Sequence, residues 1–278
     1  MAFSIASEHP SPQAFERYLR LLGLDARPPG LDALRELTAL HVHRVPFENL
    51  SKLLHRHDPS MRLPTLDRFL DGIEAHGLGG TCYSNNYHCS LLLDRLGYDV
   101  RLCGADMTRP DVHVVNVVTL AGHEYLVDVG YGAPFAEPMP LDRSDDIVVA
   151  LGGDQYRLKP RGSDGHSTLE MHRDGRLRHG YRVNPRGRRI EEFAGVIEAS
   201  FSPQATFMNA LVVIRHRPGA STALHNLSLR ECRGRSQRLS RIPDVEALPG
   251  AIETHFGIPA DLARRALAGV DPSRDVYG

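Results

Sequence analysis

The apolar residues of this chain change their spacing at Gly97, and that change limits the folds open to it more than any other feature. Before it the spacing is helical. "SPQAFERYLRLLGL" offers Ser11 as an N-cap and Pro12 at the first helical position, with Phe15, Tyr18, Leu19 and Leu22 three or four residues apart. "LDALRELTALHVHR" repeats Leu31, Leu34, Leu37 and Leu40, and "TLDRFLDGIEAHG" carries Phe69, Leu70 and Ile73 ahead of a terminating Gly77. Beyond Gly97 come short β-rich runs separated by turn residues: "DVRLCGADM", "HVVNVVTL", "EYLVDVGYG", "DIVVAL" and "TLEMHRDGRLRHGYRV". A third stretch supplies "NALVVIRH" and "ALHNLSLRECRG" as strands and a helix through "VEALPGAIETHFGI". The expected architecture is α+β with several lobes: helical over 1–97, β-rich and barrel-like over 98–205, and a small α/β unit over 206–278.

A chain of 278 residues with 41% apolar content can bury such cores. Its 33 basic and 34 acidic residues leave a formal charge of −1, and neither sign gathers in a block, which argues against a nucleic-acid or membrane partner. The N-terminus lacks a basic start followed by an apolar stretch, and no apolar run approaches the roughly 18 residues that span a bilayer. A cytoplasmic protein is expected. The cysteines at 82, 89, 103 and 232 form no CxxC pair, so they are expected as free thiols. His41 with His43 and His55 with His57 form H-x-H pairs without a third ligand at metal-site spacing, and no metal or bound cofactor is expected.

"GLGGTCYSNN", residues 77–86, places glycines ahead of Cys82 at the start of the next helix. Unpaired N–H groups and the positive end of the helix dipole there favour thiolate over thiol. The glycines permit close approach to the backbone, although a cysteine near a helix start is also read as purely structural. A nucleophilic thiol wants a histidine and a group to orient it. His113 opens "HVVNVVTL", and Asp128 interrupts "YLVDVGYG", where a carboxylate among apolar residues is costly to bury without a partner. Antiparallel strands joined near Gly122 would bring the two together, with a bulge or looser loop to absorb the unequal distances from the turn. Gly130 and Gly132 allow a close approach at the same turn.

The order "GGTC", "HVVNVV", "VDVGYG.PF", with "HRVPFENLS" at 43–51 and "SFSPQATFMNALVVIR" further on, closely resembles the arylamine N-acetyltransferase family. The resemblance implies a helical bundle, a β-barrel and an α/β lid, with Cys82 as acyl-accepting nucleophile, His113 as its proton partner and Asp128 as the orienting carboxylate. It implies acetyl-CoA or another acyl-CoA as co-substrate, a small-molecule amine or hydrazine as acceptor, and a ping-pong order. Phe47 and Tyr131 would wall the acceptor pocket, their plainer readings being a core and a turn aromatic, and "FGI" at 256–258 would belong to the terminal helix. Alternatives are an amide synthase of the same family with a carrier-bound acyl donor, a Cys-His-Asp hydrolase, and a non-enzymatic binding module. The family pattern has arginine before the paired glycines and glutamate two places after the cysteine, where this chain has Leu78 and Ser84. Glu48 would be the carboxylate left without its arginine, with Asn85 and Asn86 as substitute donors.

Overall fold

The structure, a computed structural model, describes residues 10–272. Five helices come first: α1 (Pro12–Leu22), α2 (Leu31–Arg44), the short α3 (Leu50–Leu54), α4 (Leu66–His76) and α5 (Cys82–Arg95). α1 begins as its sequence predicts, with the Ser11 hydroxyl accepting from the Ala14 N–H and Pro12 in the first turn. Phe15, Tyr18, Leu19 and Leu22 of α1 join Leu34, Leu37, Phe69, Leu70, Ile73, Leu92 and Leu93 in one core. α5 runs through the middle of the molecule, and even its polar Asn85, Asn86, His88 and Ser90 are buried.

Between α2 and α3 lies β1 (Phe47–Glu48). After Gly97 the chain forms β2 (Asp99–Asp106), β3 (His113–Leu120), β4 (His123–Val127), β5 (Met139–Pro140), β6 (Ile147–Leu151), β7 (Asp154–Lys159), β8 (Ser167–Arg173) and β9 (Arg176–Gly187). These eight strands make one antiparallel sheet in the order β5-β4-β3-β2-β9-β8-β7-β6. Met139 at one end and Tyr156 and Leu158 at the other share a core with Val115, Val117, Leu169 and Tyr181, so the sheet curls into a barrel-like body. β3 is buried on both faces: Val115 and Val117 point into the barrel, while Val114 and Val118 meet the helices.

Helices α6 (Ala194–Ala199) and α7 (Thr206–Asn209) lead to β10 (Val212–Arg217), β11 (Ala220–His225), β12 (Ser228–Arg233) and β13 (Ser236–Arg241), then to α8 (Leu248–Phe256) and α9 (Ala260–Leu267). The second sheet runs β1-β10-β11-β12-β13, with Phe47 opposite Ile214. Leu50, Leu53 and Leu78 from the N-terminal stretch therefore share a core with Val213, Leu224, Phe256 and Leu262. Among the described residues no helix is long and apolar enough to cross a membrane.

Three sequence expectations are corrected. "TLEMHRDGRLRHGYRV" is two strands, β8 and β9, turned at Asp174 and Gly175 with φ of 52° and 73°. "ALHNLSLRECRG" is likewise a hairpin, turned at Asn226 with φ 50°. "FGI" ends α8, where Gly257 takes the left-handed cap at φ 72°, and the last described helix is α9.

Candidate active site

The glycines before Cys82 are required by proximity. A Cβ on Gly79 would stand 2.0 Å from the Pro46 carbonyl oxygen, and one on Gly80 2.8 Å from the Ser84 Cβ. The chain is pinned there by a hydrogen bond from the Glu48 N–H to the Gly80 carbonyl, 3.1 Å. Thr81 is the extended N-cap of α5 but makes no side-chain cap bond, so the first-turn N–H groups are not taken up by a side chain. Cys82 follows as the first helical residue, 8% exposed, packed with Tyr83, Leu102, Val114 and Ile197. Its Sγ lies 3.8 Å from the Val112 carbonyl oxygen, one residue before His113.

His113 and Asp128 meet without a bulge. β3 and β4 pair in continuous register from Leu120↔His123 to Asn116↔Val127, around a tight turn at Ala121 and Gly122 with φ of 52° and 81°. One further step would set Asp128 across from Val115, which makes His113 its diagonal neighbour on the barrel-facing side. The imidazole Nε2 lies 2.9 Å from Asp128 Oδ2, with both side chains buried. The Tyr181 hydroxyl donates to the same oxygen at 2.8 Å. Asp128 Oδ1 accepts from Asn86 Nδ2 at 2.9 Å and from the Gly130 N–H at 3.0 Å. Burial works against charge on His113, but the Asp128 carboxylate beside it and the neighbouring Cys82 side chain outweigh that and raise its pKa to about 10. Burial likewise works against the Asp128 carboxylate, and His113, Asn86 and Tyr181 together hold its pKa below the ordinary value.

Asn86, one helical turn beyond Cys82, ties α5 to both strands. Its Nδ2 also donates to the Val114 carbonyl at 2.7 Å, its Oδ1 accepts from the Val129 N–H at 3.0 Å, and its own carbonyl accepts from Asn116 Nδ2 at 3.0 Å. Gly130 makes the approach possible, since a Cβ there would lie 2.5 Å from Asn86 Nδ2 and 2.8 Å from Cys82 Cα. Gly132, at φ 76°, faces Phe47 and Ile214, whose side-chain atoms would lie 3.2 and 3.0 Å from a Cβ there. Phe47 is 9% exposed and edge-on to Phe207, with centroids 5.9 Å apart. Tyr131 stands edge-on to the His113 ring at 5.3 Å and to Tyr181 at 5.0 Å, with its hydroxyl 2.6 Å from His179 Nδ1. Gly130 thus meets Cys82 and Asn86 at the start of α5, Phe47 bridges to Gly80 just before it, Tyr131 stands against His113, and Gly132 lies against Phe47. Tyr181 escaped the sequence reading because nothing near it marks it, whereas the four-residue spacing of Cys82 and Asn86 was a usable signal.

The Glu48 carboxylate is fully buried and held by backbone: Gly79 N–H to Oε1 at 3.1 Å and Ser51 N–H to Oε2 at 2.9 Å. Burial raises its pKa, and hydrogen bonds from the Ser51 side chain and from the Ser51, Gly79 and Leu50 N–H groups oppose the rise. Asn85 donates instead to the Gly80 and Pro46 carbonyls, so the expectation that the two asparagines replace an arginine at Glu48 is not met. His41, of the H-x-H pair, is a core residue 2.7 Å from the Tyr18 hydroxyl.

A family model described as N-acetyltransferase matches residues 30–265. The arylamine N-acetyltransferase of Mycolicibacterium smegmatis is 29% identical over 266 residues, which cover 89% of this chain and 93% of that protein. The structure of the arylamine N-acetyltransferase from Mycobacterium abscessus superposes with a TM-score of 0.78 over 94% of this chain and 95% of its own, at 24% identity. That of the Mycobacterium marinum arylamine N-acetyltransferase in complex with CoA superposes with a TM-score of 0.76 over 91% and 97%, at 26% identity. The match across most of the chain, together with relatives alike over nearly their whole length, establishes that this protein belongs to the arylamine N-acetyltransferase family, a family of transferase enzymes.

Proposed function

We propose that the protein moves an acetyl or other short acyl group from acyl-CoA to an arylamine, hydrazine or related amine by a ping-pong route through a thioester on Cys82. The observation that carries this reading is the His113 imidazole between Cys82 and a buried carboxylate that accepts four hydrogen bonds. The CoA complex of the Mycobacterium marinum relative supports the choice of donor.

In this reading His113 takes the proton of Cys82, and the sulfur attacks the thioester carbonyl carbon. The bond from that carbon to the CoA sulfur breaks, and the departing thiolate takes the proton from His113. An amine then attacks the acyl-enzyme, loses a proton to His113 and leaves as the amide, and the proton returns to the Cys82 sulfur. Asp128 orients the imidazole and stabilises its cation, with Tyr181 and Asn86 holding the carboxylate. Phe47 and Tyr131 supply aromatic surface for the acceptor, and Gly130 and Gly132 keep the backbone open beside it. Incubation with acetyl-CoA and no amine should add a single acetyl group, on Cys82, as read by intact-mass and peptide analysis. Acetyl on another cysteine, or on none, would overturn the mechanism.

A further inference from the structure

The second sheet gathers positive charge on the face turned away from Tyr131 and the triad. Ile214 of β10 and Phe47 of β1 meet Gly132 on one face. Side chains alternate along a strand, so Arg215 and Arg217 of β10 stand on the other. Val213 shares that face and packs with Phe256 of α8 and Leu262 of α9. Beyond the end of α8 the face opens into a cavity of about 440 Å³, within the range of small-molecule sites. Four arginines line it, Arg215, Arg217, Arg233 and Arg238, against one acid, Glu231.

Strand pairing assembles this set. Across β10-β11-β12-β13 the register puts Arg215, Thr222, Glu231 and Arg238 in one row and Arg217, Ala220, Arg233 and Ser236 in the next. Thr222, Ala220 and Ser236 are short, so the arginines rise around a low floor. Neighbouring strands are about 4.8 Å apart, which leaves roughly 10 Å between β10 and β12, a gap that arginines from both sides can close over. Arg215 is half-buried, with guanidinium nitrogens 3.3 and 3.9 Å from where a Cβ would stand on Gly77 and Gly257, the caps that end α4 and α8. The negative ends of two helices hold the cation there without neutralising it. Burial and the charge of Arg217 both work against it. Among the described residues none of the four arginines has a carboxylate in an ion pair with it.

Four guanidinium groups around one small floor call for many anionic oxygens from a single ligand. A carboxylate satisfies one guanidinium fork, whereas a di- or triphosphate offers several oxygens along a short chain, and Thr222 and Ser236 add hydroxyl donors. We infer that this cavity is a second ligand site, separate from the acyl donor at Cys82, and that it binds the phosphate chain of a nucleotide or of inorganic pyrophosphate. The sheet itself stands between this face and the Phe47 and Ile214 side chains that meet Gly132.

The test is calorimetric titration of the whole protein in low-salt buffer with inorganic pyrophosphate, ADP, inorganic phosphate and succinate. Pyrophosphate and ADP should bind about tenfold or more tighter than phosphate and succinate, the range of added hydrogen bonds to charged groups. Arg217→Gln with Arg233→Gln, both exposed positions, should lose that margin, with thermal unfolding confirming the fold. Arg20→Gln with Arg143→Gln, exposed and outside the cavity, makes the same change in net charge and should keep it. Tighter binding of ADP than of pyrophosphate identifies a nucleotide as the ligand, and equal or weaker binding identifies the phosphate chain alone. Pyrophosphate bound no more tightly than phosphate, a margin that survives the cavity variant, or a margin lost equally in the control overturns the inference. So does displacement of pyrophosphate by acetyl-CoA together with a rise of about tenfold in the KM for acetyl-CoA in the cavity variant, which would make the cavity the donor's own. Each of these outcomes leaves the acyl-transfer reading intact, because that reading is decided by the mass of acetylated Cys82.

Discussion

Among the described residues, each hydrogen-bond partner shown for Asp128 is a donor. Its two oxygens accept from His113, Tyr181, Asn86 and the Gly130 N–H. Asp128→Asn keeps the shape but turns one oxygen into a donor that must face another donor, so it loses both the charge behind the imidazolium and a satisfied hydrogen bond. By analogy with the serine-protease triad, acyl transfer should fall by roughly a thousand- to ten-thousand-fold per folded molecule. A steady-state rate within about tenfold of wild type would remove Asp128 from the mechanism. The sequence marked Asp128 because a carboxylate in an apolar strand demands partners, but it left Tyr181 unmarked, since a tyrosine in a strand needs no special reason. The thiols differ too: Cys89 and Cys103 are unexposed, and burial pushes them up to about 12 and about 11.

At the scale of elements, the start of α5 is held against the turn after β4 with no room to spare. Gly130 carries that contact, and a methyl group there would collide with Asn86 and with the backbone of Cys82. Gly130→Ala should displace the helix start and cost about a hundredfold or more in acetylation of Cys82, because small misplacements of reacting atoms are expensive. Gly195→Ala, on α6 with nothing within 4 Å of the new methyl, should leave the rate near wild type and serves as the control. Equal rates for the two variants in a single-turnover assay would mean the contact does not position the thiol. Elements with sparse apolar content were the ones the sequence hid. β7 alternates buried and exposed residues through "DQYRLK", and β13 is "SQRLSR" at a sheet edge, so neither shows the apolar run that announced β3.

For the whole molecule, burial of neutral histidines sets the acid limit of stability. His41 and His216 are almost wholly buried, which lowers their pKa values to about 3 and about 4. In the unfolded chain each takes a proton near pH 6.5, so below that pH the unfolded state binds more protons and stability falls until the native values are reached. His113, raised to about 10, is protonated in both states below pH 6.5 and adds no slope there. By pH 5 the cost is on the order of 2 kcal/mol for each of the two histidines, a large part of ordinary domain stability. Urea midpoints should therefore drop clearly from pH 7 to pH 5, and an unchanged midpoint would contradict neutral burial of both.

The sequence by itself determined the change from helices to strands at Gly97, the caps of α1 and α4, and the short strings around Cys82, His113 and Asp128 that carry the family. Periodicity, capping and turn chemistry act between residues a few places apart, and so they are written in contiguous stretches. Tertiary structure alone decided that His113 meets Asp128 as a diagonal neighbour with no bulge, and that backbone N–H groups, not asparagines, hold Glu48. It alone brought Tyr181 to Asp128 across 53 residues and Lys52 to Ser200 across 148. Those contacts depend on how the barrel-like sheet, α5 and the second sheet pack, and a buried polar group finds its partner only when burial has removed water as the alternative.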